Sequence, residues 1–114
     1  MAGQLKRISG PAYLANSATD IYTPPASTIY TVIRHIHFAN KTTSAVTFSL
    51  YVGATGGSAG GTELFGTKSL APNEVYDWYA YGQGLKMLST DFLSGLASVA
   101  SAITITVMGE QVVV

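Results

Sequence analysis

Two histidines one residue apart, His35-Ile36-His37, come nearest in type and spacing to doing chemistry. On an extended chain they project from one face of a strand, roughly 7 Å apart. Two imidazoles so placed supply half of a zinc site. The remaining ligands would have to come from Asp20, Glu63, Glu74, Asp77, Asp91 or Glu110, the only carboxylates in the side chains, and no HExxH motif or cysteine is present. Nothing in the spacing selects one of the six. The pair is therefore read as part of a polar contact face, with no metal and no cofactor expected. If that face is an interface, protonation of the imidazoles would make assembly sensitive to pH between about 5 and 8.

A second cluster is aromatic: Tyr76, Trp78, Tyr79 and Tyr81, with Asp77 among them. Period-two alternation sends Tyr76, Trp78 and Ala80 to one side and Asp77, Tyr79 and Tyr81 to the other. A flat aromatic surface beside a carboxylate would hold a sugar ring, so carbohydrate is the alternative ligand. Core on one face and interface on the other is the preferred reading, since Tyr and Trp are enriched in both. Catalysis finds no support. There is no nucleophile elbow, and the glycine-rich stretch Gly53 to Thr62 lacks the Gly-Lys-Ser/Thr ending of a phosphate cradle.

The elements that carry these residues read as strands. Thr28 to Val52 contains two, joined at Asn40-Lys41-Thr42-Thr43. In the first, simple alternation groups Tyr30, Val32, Arg34, Ile36 and Phe38 against Ile29, Thr31, Ile33, His35 and His37, leaving both faces mixed. In the second, Val46, Phe48, Leu50 and Val52 share one apolar face. Further strands are expected at Leu64–Leu70, Val75–Tyr81, Lys86–Ser89, Asp91–Ala97 and Ala102–Val114, with a turn at Ala71-Pro72-Asn73-Glu74. Ser44 to Leu50 matches Ser101 to Val107 in residue type at every position. The class is all-β, an antiparallel β-sandwich or jelly roll of about seven or eight strands. The expected core is Val46, Phe48, Leu50, Ile103, Ile105 and Val107.

Residues 1–27 read differently. Gly3, Gly10, Pro11, Pro24 and Pro25 punctuate short apolar pieces. The expectation is an extended N-terminal arm over 1–27, with a short edge strand near Ala18 to Tyr22, ahead of a sandwich domain over 28–114. Leu5, Ile8, Tyr13, Leu14, Ile21 and Tyr22 would be its anchors on a neighbouring subunit.

Composition narrows the partners. The chain of 114 residues carries no net charge, and only 11% of it is charged, against roughly 25% in an ordinary soluble domain. Such a chain has no electrostatic footprint for nucleic acid. Its two long uncharged windows, Thr42 to Thr62 and Phe92 to Gly109, alternate and are rich in Ser, Thr and Gly, so neither reads as a membrane span. The N-terminal residues lack the apolar stretch of a secretory signal, which points to accumulation in the cytoplasm. A surface so poor in charge is expected to be covered by other copies of the chain.

In order, the segments IYTVIRHIHFAN, SAVTFSLYVG, ELFGTKSLAPNEVYDWY and SAITITVMGEQVV, separated by a small polar turn and a glycine-rich loop, resemble small β-sandwich virion proteins of tailed bacteriophages. The resemblance covers Thr28 to Val113. It implies a non-enzymatic structural part of the virion, made in the host cytoplasm. A capsid decoration or cement protein is the first expectation, with a neck, collar or tail-surface part as the alternative. Its implied partners are further copies of itself, a trimer being the simplest ring, and other virion proteins such as the major capsid protein.

Overall fold

The computed structural model describes residues 5–54, 57, 62–80, 82 and 84–113, with the side chains of Leu5, Phe65 and Gly66 left aside. Nine strands follow in order: β1 (Leu5–Tyr13), β2 (Thr19–Tyr22), β3 (Thr28–Asn40), β4 (Val46–Gly53), β5 (Glu63–Leu70), β6 (Val75–Tyr79), β7 (Leu85–Leu88), β8 (Phe92–Ala97) and β9 (Ile103–Val113). They form two antiparallel sheets packed as a sandwich, the first ordered β1-β9-β3-β6 with β7 also on β3, the second β2-β8-β4-β5. The all-β expectation holds, and so does the core. Val46, Phe48, Leu50, Ile103, Ile105 and Val107 are all buried, joined by Ile33, Ile36, Phe38, Met87 and Leu93.

The matched segments Ser44–Leu50 and Ser101–Val107 fall on β4 and β9. Each is an interior strand of its sheet, flanked on both sides. Alternating Val/Phe/Leu on one and Ile/Ile/Val on the other supply the two inner faces, so similar sequence solves the same packing problem twice. Phe38 and Phe48 meet between the sheets with ring centroids 4.6 Å apart.

β3 and β4 do not form a hairpin; they belong to opposite sheets. The corner between them is held by Asn40, 2% exposed. Its Nδ2 donates to the carbonyls of Ser44 (2.9 Å), Leu70 (3.0 Å) and Ala71 (3.1 Å). Its Oδ1 accepts from the Thr42 amide at 2.9 Å and the Thr42 hydroxyl at 2.8 Å. One side chain thus ties the end of the first sheet to β5 of the second, with its polar atoms satisfied where water is excluded.

The arm requires correction. Residues 5–27, the described part of that segment, supply strands of the sandwich itself and are not a detached arm ahead of it. β1 pairs antiparallel with β9 from Leu5↔Glu110 to Tyr13↔Thr104, and β2 pairs with β8. The physical reason is that β9 and β8 would otherwise present open edges, and the apolar anchors find burial within their own chain. Leu14 is buried, while Ile8, Ile21 and Tyr22 pack against the core. Tyr13 alone of these anchors stays exposed, at 53%; the Leu5 side chain lies outside the described residues. Two hydrogen bonds bind the sheets here, Ser9 Oγ to the Ile21 carbonyl and Tyr22 Oη with Thr31 Oγ1, both at 2.9 Å. The short edge strand expected near Ala18 to Tyr22 is β2. The glycine-rich stretch Gly53 to Thr62 lies largely outside the described residues.

Truncation at two points measures this packing. Phe48→Ala is expected to lose about 3–5 kcal/mol of unfolding free energy in urea titrations. Asn40→Ala, which strips the buried Leu70 carbonyl of its side-chain partner, is expected to lose about 2 kcal/mol.

Candidate functional site

The site begins with a register shift. Along β3, Ile33 pairs with Gly109 of β9 and His35 with Met108, so Arg34 is an extra residue with no partner in that ladder. A β-bulge of this kind reverses which side chains face inward from that point on. Before it, Thr31 and Ile33 point into the core; after it, Ile36, Phe38 and Asn40 do. Simple alternation put Ile33 with the two histidines and Ile36 with Arg34. The bulge places both isoleucines in the core and gathers Arg34, His35 and His37 on the half-exposed outer face.

The same position divides the neighbouring edge. β7 pairs with β3 over Tyr30–Ile33 and β6 over His35–Ala39, so the two short strands follow one another along one side of β3. Between them the Ala80 amide donates to the Arg34 carbonyl at 3.0 Å. Gly84 has a φ of +89°, and a Cβ there would lie 2.6 Å from Val32 Cγ1, so the connection needs glycine where it passes the bulge. Across the strand, a Cβ on Gly109 would meet the Val32 carbonyl oxygen at 2.1 Å.

β6 carries Asp77 opposite His37 and Tyr79 opposite His35. Asp77 Oδ1 accepts hydrogen bonds from both rings, from His35 Nε2 at 2.7 Å and from His37 Nδ1 at 2.6 Å. The Tyr79 ring stacks on His35, with centroids 4.4 Å apart and planes 5° from parallel. The imidazole hydrogen bonds, first from His37 and then from His35, hold the Asp77 carboxyl below the usual carboxylate range, outweighing the opposing effect of burial. Beside the cluster, Glu110 Oε2 accepts from Arg34 Nε and lies 2.8 Å from both Nε and Nη2. Further along, Lys86 Nζ lies 4.6 Å over the Tyr30 ring. The outer face of β3 thus carries paired polar groups on both sides of the half-buried Val32.

The structure brings His35 and His37 together with Asp77 and Tyr79, and separates the rest of the aromatic cluster. Tyr76 and Trp78 turn inward and pack against the core, while Tyr79 is 59% exposed. Trp78 shares its inward side with Tyr76 and not with Tyr79, because alternation along β6 sends Tyr79 to the opposite face. Tyr81 lies outside the described residues. Arg34, Glu110 and the choice of Asp77 among six carboxylates were not found from sequence. The available signal was the odd spacing of Ile33 and Ile36, which no unbroken strand can bury on one side.

No family model matches the chain, and no curated protein does. Among solved structures it is similar to a chain from Bacillus endospore appendages, described as a novel family of disulfide-linked pili. Identity is 16% and the TM-score 0.52, with 100% of this chain and 91% of that chain covered. The likeness shows the fold alone. This chain contains no cysteine, so a disulfide linkage has no counterpart in it.

The lowered Asp77 pKa carries a sign. Folding favours the carboxylate, so its contribution to stability is present above the ordinary value of 3.8 and is lost as pH falls through the lower folded value. Asp77→Asn is expected to be less stable than the parent at neutral pH. That gap should narrow as melts are recorded into the acid range; a gap independent of pH would contradict the assignment.

Proposed function

We propose that this chain is a non-enzymatic structural subunit that works by associating with further copies of itself in a repetitive assembly. The observation carrying this reading is where its few charges lie. Seven of the twelve charged side chains are on the edge strands β1, β2, β5, β6 and β7, and the interior strands carry only Arg34 and Glu110, paired to each other. Edge charges oppose indiscriminate strand addition. They leave the outer face of the second sheet, where Thr47 and Tyr51 of β4 and Leu96 of β8 are half-exposed around the buried Ser49 and Ser94, without a charged group on its two central strands. An uncharged sheet face bounded by charged edges suits packing of one copy on another.

Within that class, the order of strand and turn motifs favours a virion part of a tailed bacteriophage, on the head surface before the neck or tail. The similar fold of an endospore pilus chain supports the wider class of self-assembling appendage, not a virion. With Ile8, Leu14, Ile21 and Tyr22 occupied within the chain, attachment falls to the sheet faces and not to an N-terminal arm. Binding of a sugar ring on Trp78 is disfavoured by the inward turn of that side chain.

Sedimentation over a range of protein concentrations tests the association. The parent chain is expected to form a discrete oligomer, and Thr47→Lys with Leu96→Lys to remain folded by circular dichroism yet sediment as a monomer. A parent that is monomeric throughout, or an oligomer indifferent to both lysines, overturns the proposal. Antibody labelling of particles in electron micrographs tests the virion assignment separately.

A further inference from the structure

We propose that His35, His37 and Asp77 bind a single transition-metal ion of the zinc class on the outer face of the first sheet. The inference is independent of the assembly reading. His35 Nε2, His37 Nδ1 and an Asp77 carboxylate oxygen all lie within 4.8 Å of one another. Two imidazoles and one carboxylate form a donor set suited to Zn²⁺, Cu²⁺, Ni²⁺ or Co²⁺. Ca²⁺ and Mg²⁺ prefer all-oxygen shells.

The backbone fixes these donors before any ion arrives. β3 is hydrogen-bonded on both sides, to β9 and to β6, so neither histidine rides on a loop. Asp77 is set directly across from His37, and Tyr79 holds the plane of the His35 ring. Support of that kind is what distinguishes a site from a chance meeting of side chains.

In the metal-free protein the two imidazole nitrogens converge on one carboxylate oxygen and lie within 4.8 Å of each other. Tetrahedral zinc at its usual bond lengths needs ligand atoms roughly 3.3 Å apart, whereas Asp77 Oδ1 now sits 2.7 Å and 2.6 Å from the two nitrogens. Binding requires the carboxylate to withdraw by roughly half an ångström and the two rings to rotate so that their nitrogens draw together, both side-chain movements. The side chains are 21%, 37% and 34% exposed for His35, His37 and Asp77. An ion can therefore enter from solvent and keep a position for water or for a donor from another molecule.

Proton balance is simple. Each ring directs an N–H to Asp77, and the ion takes the lone pair of the same nitrogen. The displaced proton passes through water to the other nitrogen of its ring, Nδ1 on His35 and Nε2 on His37. Neutral rings therefore lose no proton overall, and Asp77 binds as the carboxylate it already is.

Untagged protein, stripped with chelator and titrated with Co²⁺, provides the test. The expected result is one Co²⁺ per chain with the visible absorption of a four-coordinate cobalt site, displaced by Zn²⁺ and untouched by Ca²⁺. Zn²⁺ should also raise the thermal midpoint. His37→Ala and, as a variant that keeps a hydrogen-bond acceptor, Asp77→Asn should each weaken binding by at least about tenfold, while Asp20→Asn on β2 should match the parent. Absence of cobalt absorption in the parent, or undiminished binding in a folded His37→Ala or Asp77→Asn variant, overturns the proposal.

Discussion

The outer face of the first sheet depends on one unpaired residue. Arg34 interrupts the β3–β9 ladder, and by doing so lets a single strand serve two purposes. On its inner side, Ile33 and Ile36 both reach the core although they are three positions apart. On its outer side, Arg34, His35 and His37 become neighbours of Glu110, Tyr79 and Asp77. Without the bulge, burying Ile36 and Phe38 would force Ile33 outward, and the strand could not satisfy both halves of the sandwich. The break between β6 and β7 falls at the same place, so the edge bends with the strand it covers.

Closure of the sandwich rests on a few polar bonds that cross between sheets. Asn40 joins the ends of β3 and β5, and Ser9 and Tyr22 join the sheets near the N-terminal strands. Apolar burial supplies the main driving force but is non-directional. Buried hydrogen bonds of fixed geometry then select one arrangement of the two layers. Charge is deployed with the same economy: the edges carry most of it, and the interior strands keep one ion pair. The molecule therefore carries its charge mainly where open strand edges would otherwise invite further pairing.

Much of this was legible in the sequence. Period-two alternation located β3 to β9, and Val46, Phe48 and Leu50 with Ile103, Ile105 and Val107 gave the core, because each of these sets alternates without interruption, whereas the inner face of β3 was hidden by its bulge. The N-terminal segment was misread because Gly10, Pro11 and the Pro24-Pro25 pair look like breakers, and nothing local shows that β9 and β8 have edges to fill. Long-range pairing decides that. The histidine face was legible only as a face. Its third member, Asp77, is forty positions away from His37 in the chain, and only the antiparallel register of β3 with β6 selects it from the other carboxylates. Tyr76 and Trp78 illustrate the reverse: alternation assigned their side correctly, and the core took them both.

Among the described residues, the chemically distinctive feature is a carboxylate oxygen shared by two imidazoles on a strand paired on both sides. Nitrogen-15 correlated NMR of metal-free protein reads that arrangement directly through the tautomers. The account predicts opposite forms near neutral pH, His35 carrying its proton on Nε2 and His37 on Nδ1, each N–H shifted downfield and protected from exchange by its bond to Asp77. Two histidines in the same tautomer, or with rapidly exchanging unperturbed N–H signals, would contradict it.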